Sequence, residues 1–266
     1  MLAKPSATLR LLSCCLRALR SSHRASSTLH EPGPESDEVS HVHRGVAFEN
    51  RALAMLRYLS MSLTCVGGKS DGGIDLQGWW WLPAASSISH SVDLDASHEQ
   101  TDLVTDNAGI HRRRIRVLAQ CKAERRKLGP HYVREMEGVL YRHLHLTPTS
   151  RQEPRGLPTV ALLISESEFT KASILCAMSS PLPFFLLHLP RASASRDSET
   201  GTEGETSGTA GFDSAIWNPA LGGQKGILGG EIDLRWELSQ DPTVPRRPSL
   251  WYHSTRLKSW IPTSEQ

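Results

Sequence analysis

A chain of 266 residues and 29.4 kDa is long enough for one good core with a small appendage. Hydrophobic residues at 38% and aromatics at 6% are modest for a chain that packs throughout, so part of its length is expected to stay outside the core. The formal charge of +2 conceals acidic and basic residues segregated into different stretches, and it excludes no partner as a total. Five cysteines (Cys14, Cys15, Cys65, Cys121 and Cys176) contain no CxxC pair, which argues against a zinc knuckle or a disulfide framework and for a reducing or matrix-like compartment. No stretch reaches the ~18–20 uninterrupted apolar residues of a membrane helix, so no stable membrane insertion is expected.

Residues 1–29 carry no Asp or Glu, while Lys4, Arg10, Arg17, Arg20 and Arg24 are basic and Leu9, Leu12, Leu16 and Leu19 recur at helical spacing. An Arg- and Ser-rich amphipathic segment without acids reads as a mitochondrial targeting sequence, with a disordered basic tail as the alternative. Acids arrive abruptly at Glu31, Glu35, Asp37 and Glu38, which marks a linker into the mature domain. Residues 44–60 then predict a helix with Val46, Leu53, Leu56 and Leu59 on one stripe. Residues 61–66 suit a short strand, Gly67 to Gly73 a glycine-rich turn, and 74–82 a strand. Residues 83–111, with Asp93, Asp95, Glu99, Asp102 and Asp106 and no Lys or Arg, predict an acidic insertion or long hairpin loop. A strand from about Arg114 to Cys121, a helix 129–145, a strand 158–165, a helix 168–178 and a strand 183–189 follow, in the order αβββαβαβ. Residues 191–211 are Ser/Thr/Gly/Glu low complexity, and beyond them Trp217-Asn218-Pro219 and 231–236 predict one more turn and strand.

Strand alternation locates the chemistry. Gln120 and Lys122 share one face of their strand, roughly 7 Å apart, opposite Val117, Ala119 and Cys121. If that strand pairs with Ile74-Asp75-Leu76-Gln77, a carboxylate, an amide oxygen and an ammonium converge at one sheet edge. Oxygen donors hold a hard cation such as Mg²⁺ or Mn²⁺, and a lysine beside them orients water or offsets charge in phosphodiester hydrolysis. Glu49 falls inside the apolar stripe of the first helix. A carboxylate facing a core is costly unless paired or metal-bound, so Glu49 reads as a further ligand; the alternative places it at a solvated rim.

Phe48-Glu49 on the first helix, Gly67-Gly68 through Asp71-Gly72-Gly73-Ile74-Asp75-Leu76, and Gln120-Cys121-Lys122 together resemble the Mrr-like branch of the PD-(D/E)xK nucleases, over residues 44–190. The resemblance implies that Asp75 is the catalytic aspartate, Gln120 and Lys122 the QxK pair and Glu49 the helix-borne glutamate. With the presequence, Gly78-Trp79-Trp80-Trp81 and Trp217-Asn218-Pro219, the chain resembles more narrowly the fungal mitochondrial Required for respiratory growth protein 7 family. Mitochondrial residence and a nuclease-type fold follow from that likeness; a substrate does not. Gln120 stands where the wider superfamily has an acid, so the site carries one negative charge fewer.

Arg112, Arg113, Arg114 and Arg116 continue through Lys122 to Arg125, Arg126 and Lys127, opposed only by Glu124. Of these, Arg113, Arg114, Arg116, Arg125, Arg126 and Lys127 are candidate phosphate contacts, with a solvated basic rim as the alternative. The twelve histidines read as surface residues, and Trp79, Trp80 and Trp81 as core and interface aromatics before base-stacking ones. The expected organisation is a targeting sequence and linker (1–40), a restriction-endonuclease-like α/β domain with a mixed central sheet flanked by helices (41–190), a low-complexity linker (191–212) and a C-terminal extension (213–266). The expected function is metal-dependent cleavage of DNA or RNA in the mitochondrial matrix. Asp75, Gln120, Glu49 and the Cys121 backbone carbonyl would hold Mg²⁺ or Mn²⁺, and Lys122 would assist the attacking water. The alternative is an inactive nuclease fold acting as a nucleic-acid-binding or assembly factor in mitochondrial gene expression.

Overall fold

The computed structural model describes residues 35–66, 72–84, 103–145, 157–191, 211–237 and 246–265. The targeting segment, most of the glycine-rich turn with Asp71, the middle of the acidic insertion and the low-complexity stretch lie outside these residues.

A helix α1 (Glu35–Leu56) ends in a 3-10 turn (Arg57–Leu59), and Ser60, in the left-handed region at φ 65°, redirects the chain into the first strand. Strands β1 (Met61–Cys65), β2 (Leu76–Pro83), β3 (Val104–Thr105) and β4 (His111–Lys122) follow. Next come α2 (Pro130–His145), β5 (Thr159–Ser165), α3 (Lys171–Ser179) and β6 (Phe184–His188). The expected order αβββαβαβ is present, with the small β3 added. β1, β2 and β4 pair antiparallel, β4, β5 and β6 run parallel, and β7 (Ser214–Trp217) closes the seven-stranded sheet antiparallel to β6. The fold is mixed α/β, a central mixed sheet flanked by helices.

Alternation along the strands divides the core in two. Leu63, Leu76, Trp80, Val117, Ala119, Leu162, Phe185 and Leu187 face α1, whose Phe48, Ala52, Met55 and Leu56 bury against them. Leu118, Ala161, Leu163, Phe184 and Leu186 face α2 and α3. All seven residues of β5 are buried, as a parallel strand covered on both faces requires. Trp80 sits at the centre of the first face, stacked on Phe185 with ring centroids 5.7 Å apart, and its indole N–H donates to the Leu59 carbonyl at 2.8 Å.

Three readings of the sequence need correction. The buried stripe of α1 runs through Phe48, Ala52, Met55 and Leu56, leaving Val46 and Leu53 half-buried; the helix begins earlier than the apolar pattern suggests, and its packed face is rotated accordingly. The insertion is not loop throughout. β3 pairs with the start of β4, and Asp106 accepts the backbone N–H groups of Ala108 (2.8 Å) and Ile110 (2.9 Å) and the Arg112 guanidinium (2.8 Å). Asp106 and Arg112 are 7% and 1% exposed, so an acid that looked like spacer is the buried half of an ion pair. His188 is also buried, its Nδ1 3.1 Å from Asp213, because it ends a central strand.

Residues 211–265 are knitted into this core. Leu221, Leu228, Ile232, Leu250 and Leu257 join the face under α1. A short helix α4 (Pro219–Gly222) leads to a second antiparallel sheet of β8 (Ile232–Glu237), β9 (Arg247–Tyr252) and β10 (Thr255–Arg256). The last residues strap across β1 and β2: Trp260 N–H donates to Ser60 Oγ at 3.1 Å, the Arg112 guanidinium to the Lys258 carbonyl at 3.3 Å, and Trp81 meets Trp260 edge-on at 5.9 Å. Asn218 is the joint. Its Nδ2 donates to the carbonyls of Ala177 (3.0 Å), Ser180 (3.1 Å) and Leu182 (2.8 Å), and its Oδ1 accepts from Phe184 (3.0 Å) and Leu221 (3.1 Å).

Buried amide hydrogen bonds lost together leave several main-chain groups unsatisfied, so Asn218→Ala is expected to lower the unfolding free energy by about 3 kcal/mol in urea denaturation. Asn218→Asp, which turns lone pairs toward the three carbonyls, should lose at least as much. Wild-type midpoints in both variants would contradict the role of this joint.

Candidate functional site

The site is built where β2 and β4 meet. Their register, Leu76 opposite Ala119 through Pro83 opposite Arg112, places Asp75 one step before the paired stretch, beside Gln120. The Asp75 N–H still donates to the Ala119 carbonyl at 2.9 Å. At the next position its carboxylate takes over from the main chain: Asp75 Oδ2 accepts the Cys121 N–H at 2.7 Å. The side chain thus ends the ladder by satisfying a strand donor, and the carboxylate is held at the sheet edge.

Glycine makes this approach possible. Gly72 and Gly73 have φ of +66° and +86°, a region L side chains rarely occupy, and a Cβ on Gly73 would stand 3.3 Å from Val139 and 3.7 Å from Gln120 Nε2. Gly73 therefore lies against α2 and over Gln120.

Alternation sends Gln120 and Lys122 to the α2 side of the sheet. Gln120 is 2% exposed, and its Nε2 donates to Glu135 Oε1 at 3.0 Å. An ionised carboxylate only accepts, so Glu135 fixes which way the amide points. The other end, Gln120 Oε1, is buried with no hydrogen-bond partner. The Lys122 ammonium lies 5.1 Å from the centroid of the Tyr132 ring. The Tyr132 hydroxyl in turn donates to Glu124, and that bond first, then burial, pushes the phenol up to about 12.

Glu49 and Asp75 both act on Cys121, which faces α1. The Cys121 thiol is pushed well above the ordinary range by burial, and then by the negative charge of Asp75 and Glu49. A thiol held protonated is no nucleophile. Glu49 on α1 and Asp75 at the end of the ladder thus act on Cys121 by charge, while Gln120 and Lys122 point to the α2 side. Asp75, opposite Gln120 by register, is the residue fastened to the strand end itself. Glu135 and Tyr132 went unnoticed in the sequence; their spacing of three on α2 was the available signal.

A buried amide oxygen without a donor is chemically suited to a hard cation. Asp75, which bonds the adjacent Cys121 N–H, and Gln120 offer oxygen donors of the kind such an ion takes, whereas Glu49 acts on Cys121 from the α1 side. Among the described residues, no group of three or more His, Cys, Asp or Glu side chains gathers for a metal.

The basic run does not form one surface. Arg113 points to the α1 side and donates to the Ile227 carbonyl at 2.6 Å, joining the C-terminal extension to the sheet. Arg114 and Arg116 lie over the half-buried Trp79 ring, at 4.4 and 5.6 Å. Arg125 and Arg126 are exposed, and Lys127 pairs with Glu168 at 2.6 Å.

The Tyr132–Glu124 pair makes a pH prediction. The folded state holds this proton more tightly than the unfolded chain, so the contribution is complete below about 10 and is lost as pH rises toward about 12. Glu124→Gln should bring the Tyr132 ionisation, followed by ultraviolet titration, down toward the ordinary phenol value. An unchanged titration would exclude the contact.

No helix of the described residues is long and apolar enough to cross a membrane. No curated protein and no solved structure matches the sequence. The model of one family does, over residues 40–213, which takes in most of α1, the β2–β4 edge with Asp75, Gln120 and Lys122, and the parallel strands behind it. The chain therefore belongs to the Required for respiratory growth protein 7 family, and its role lies in respiratory growth.

Proposed function

We propose that the chain is a metal-dependent nuclease of the mitochondrial matrix, a restriction-endonuclease-like domain that hydrolyses phosphodiester bonds of DNA or RNA. The observation that carries this reading is the buried Gln120 Oε1, held without a donor while Glu135 fastens the other end of the amide. A buried polar atom left unsatisfied costs stability, and a cation ligand explains why the cost is borne. The element order and the mixed sheet support the fold assignment.

In this reading Asp75, Gln120 and Glu49 hold Mg²⁺ or Mn²⁺, with the Cys121 carbonyl as a further oxygen. A bound ion of this kind polarises the phosphate and makes water a better nucleophile. Asp75 is oriented by the Cys121 N–H, and Gln120 by Glu135. Lys122, steadied over Tyr132, orients water and offsets charge on the phosphate. The alternative is a nuclease fold without catalysis that binds nucleic acid or serves assembly in mitochondrial gene expression.

Cleavage of duplex, single-stranded and branched DNA and of RNA by the purified full chain in Mg²⁺ and Mn²⁺ tests the proposal. Asp75→Asn and Lys122→Ala are each expected to reduce the rate at least about a hundredfold. Gln120→Glu, which sets a second carboxylate against Glu135, should unfold at lower temperature without metal and recover on adding Mn²⁺. Undiminished cleavage by Asp75→Asn would refute the mechanism; no cleavage of any substrate would move the choice to the binding role.

A further inference from the structure

The basic stretch of β4 drew attention in the sequence, but the structure assembles another cationic site from residues far apart in the chain. Arg44, Phe48 and Arg51 follow i, i+4, i+7 on α1 and leave the same flank. Glu49, two residues from Arg51, leaves another. Arg191 follows β6, and Glu166 follows β5, directly after Ser165, the register partner of Lys122. The Glu166 N–H donates to the Lys122 carbonyl at 2.9 Å. The group therefore sits at the same carboxyl edge of the parallel strands as Lys122, on the α1 side; ligands of open α/β sheets bind outside such edges.

The charge does not balance. Glu166 Oε2 is 2.7 Å from Arg44 Nη2 and 3.1 Å from Arg191 Nη2, and Arg51 donates through Nη2 to the Leu189 carbonyl at 2.9 Å, with its guanidinium over the Phe48 ring. Two guanidiniums thus pair with one carboxylate, and a third, that of Arg51, lies within its electrostatic reach. Burial, opposed by Glu166 and reinforced by Arg191, holds the Arg51 guanidinium below its ordinary value, and its buried Nε has no hydrogen-bond partner. A brace between α1 and the sheet would need one cation for its one anion. The surplus charge and the unsatisfied Nε fit an incoming anion, and guanidinium forks match phosphate oxygens.

We propose that Arg44, Arg51 and Arg191 form a phosphate-binding subsite that holds the backbone of a nucleic-acid strand beside Lys122, with Glu166 positioning the guanidiniums. This rests on the nuclease-type reading for its ligand but not on catalysis.

The test is fluorescence anisotropy of labelled single-stranded and duplex oligonucleotides with the full chain, without divalent metal, between about 50 and about 200 mM salt. Arg51→Gln and Arg191→Gln are each expected to weaken binding about three- to tenfold and to reduce the salt slope by about one. Arg191, with its side chain 55% exposed, serves where Arg51→Gln disturbs folding. Glu166→Gln should tighten binding while lowering thermal stability; a merely structural Glu166 would do only the second. Unchanged affinity and slope in folded arginine variants, or no binding by the wild type, would overturn the proposal. Inorganic phosphate binding more tightly than either oligonucleotide, with the same dependence on Arg51 and Arg191, would assign the subsite to free phosphate and overturn the strand. Lost binding in the arginine variants of a chain that cleaves nothing would sink catalysis and keep the subsite; cleavage that needs Asp75 and Lys122 with arginine-independent binding would do the reverse.

Discussion

The antiparallel register of β2 on β4 is the constraint from which the rest of the molecule follows. Leu76 opposite Ala119 puts Trp80 into the middle of the core and leaves Asp75 just past the end of the ladder, where its carboxylate replaces a main-chain acceptor at Cys121. A slip of one residue would turn Trp80 toward α2 and α3 and carry Leu76 off the face that α1 covers. Hydrophobic burial thus sets the register, and the register sets the chemistry. Trp80 is held in that position by stacking on Phe185 and by tilted ring contact with Trp217, which also meets Phe185.

Around that edge the molecule uses each element twice. α1 buries Phe48, Ala52, Met55 and Leu56, while one flank presents Glu49 toward Cys121 and the other presents Arg44 and Arg51 toward Glu166. α2 buries Val133, Met136 and Leu140, and its side toward the site orients Gln120 through Glu135 and rests Lys122 on Tyr132. The C-terminal extension supplies apolar residues to the face under α1 and straps the strands opposite the edge, with Arg112 buried between Asp106, the Trp81 carbonyl and Lys258. A buried guanidinium is tolerated only with such complete pairing.

The two polar clusters meet different physical demands. At Gln120 the amide donor is satisfied and the acceptor is not, which suits a cation. At Arg51 a donor is unsatisfied among surplus positive charge, which suits an anion. Both clusters lie near the end of β4, where the Lys122 carbonyl accepts the Glu166 N–H, and the proposed phosphodiester chemistry would use the two together.

Local pattern was enough for much of this. Period-two alternation in 114–121, the unbroken apolar runs of β5 and β6, the helical spacing in α2 and the glycines before Asp75 carry their own physical reasons, so strands, helices and the pairing of Asp75 with Gln120 were legible without coordinates. The C-terminal strands β7, β9 and β10 were not, since short, partly exposed strands have weak periodicity and exist only because a neighbour's edge accepts them. Asp106 looked like solvated spacer and His188 like a surface residue, because burial of a polar side chain depends on a partner that no window of sequence contains. The same holds for the site. Residue type and spacing nominated Asp75, Gln120, Lys122 and Glu49, but only packing shows that Glu135 turns the Gln120 amide. Likewise, Arg44, Arg51, Glu166 and Arg191 are drawn together from three separate segments, because the helix and the parallel strands deliver them to one edge.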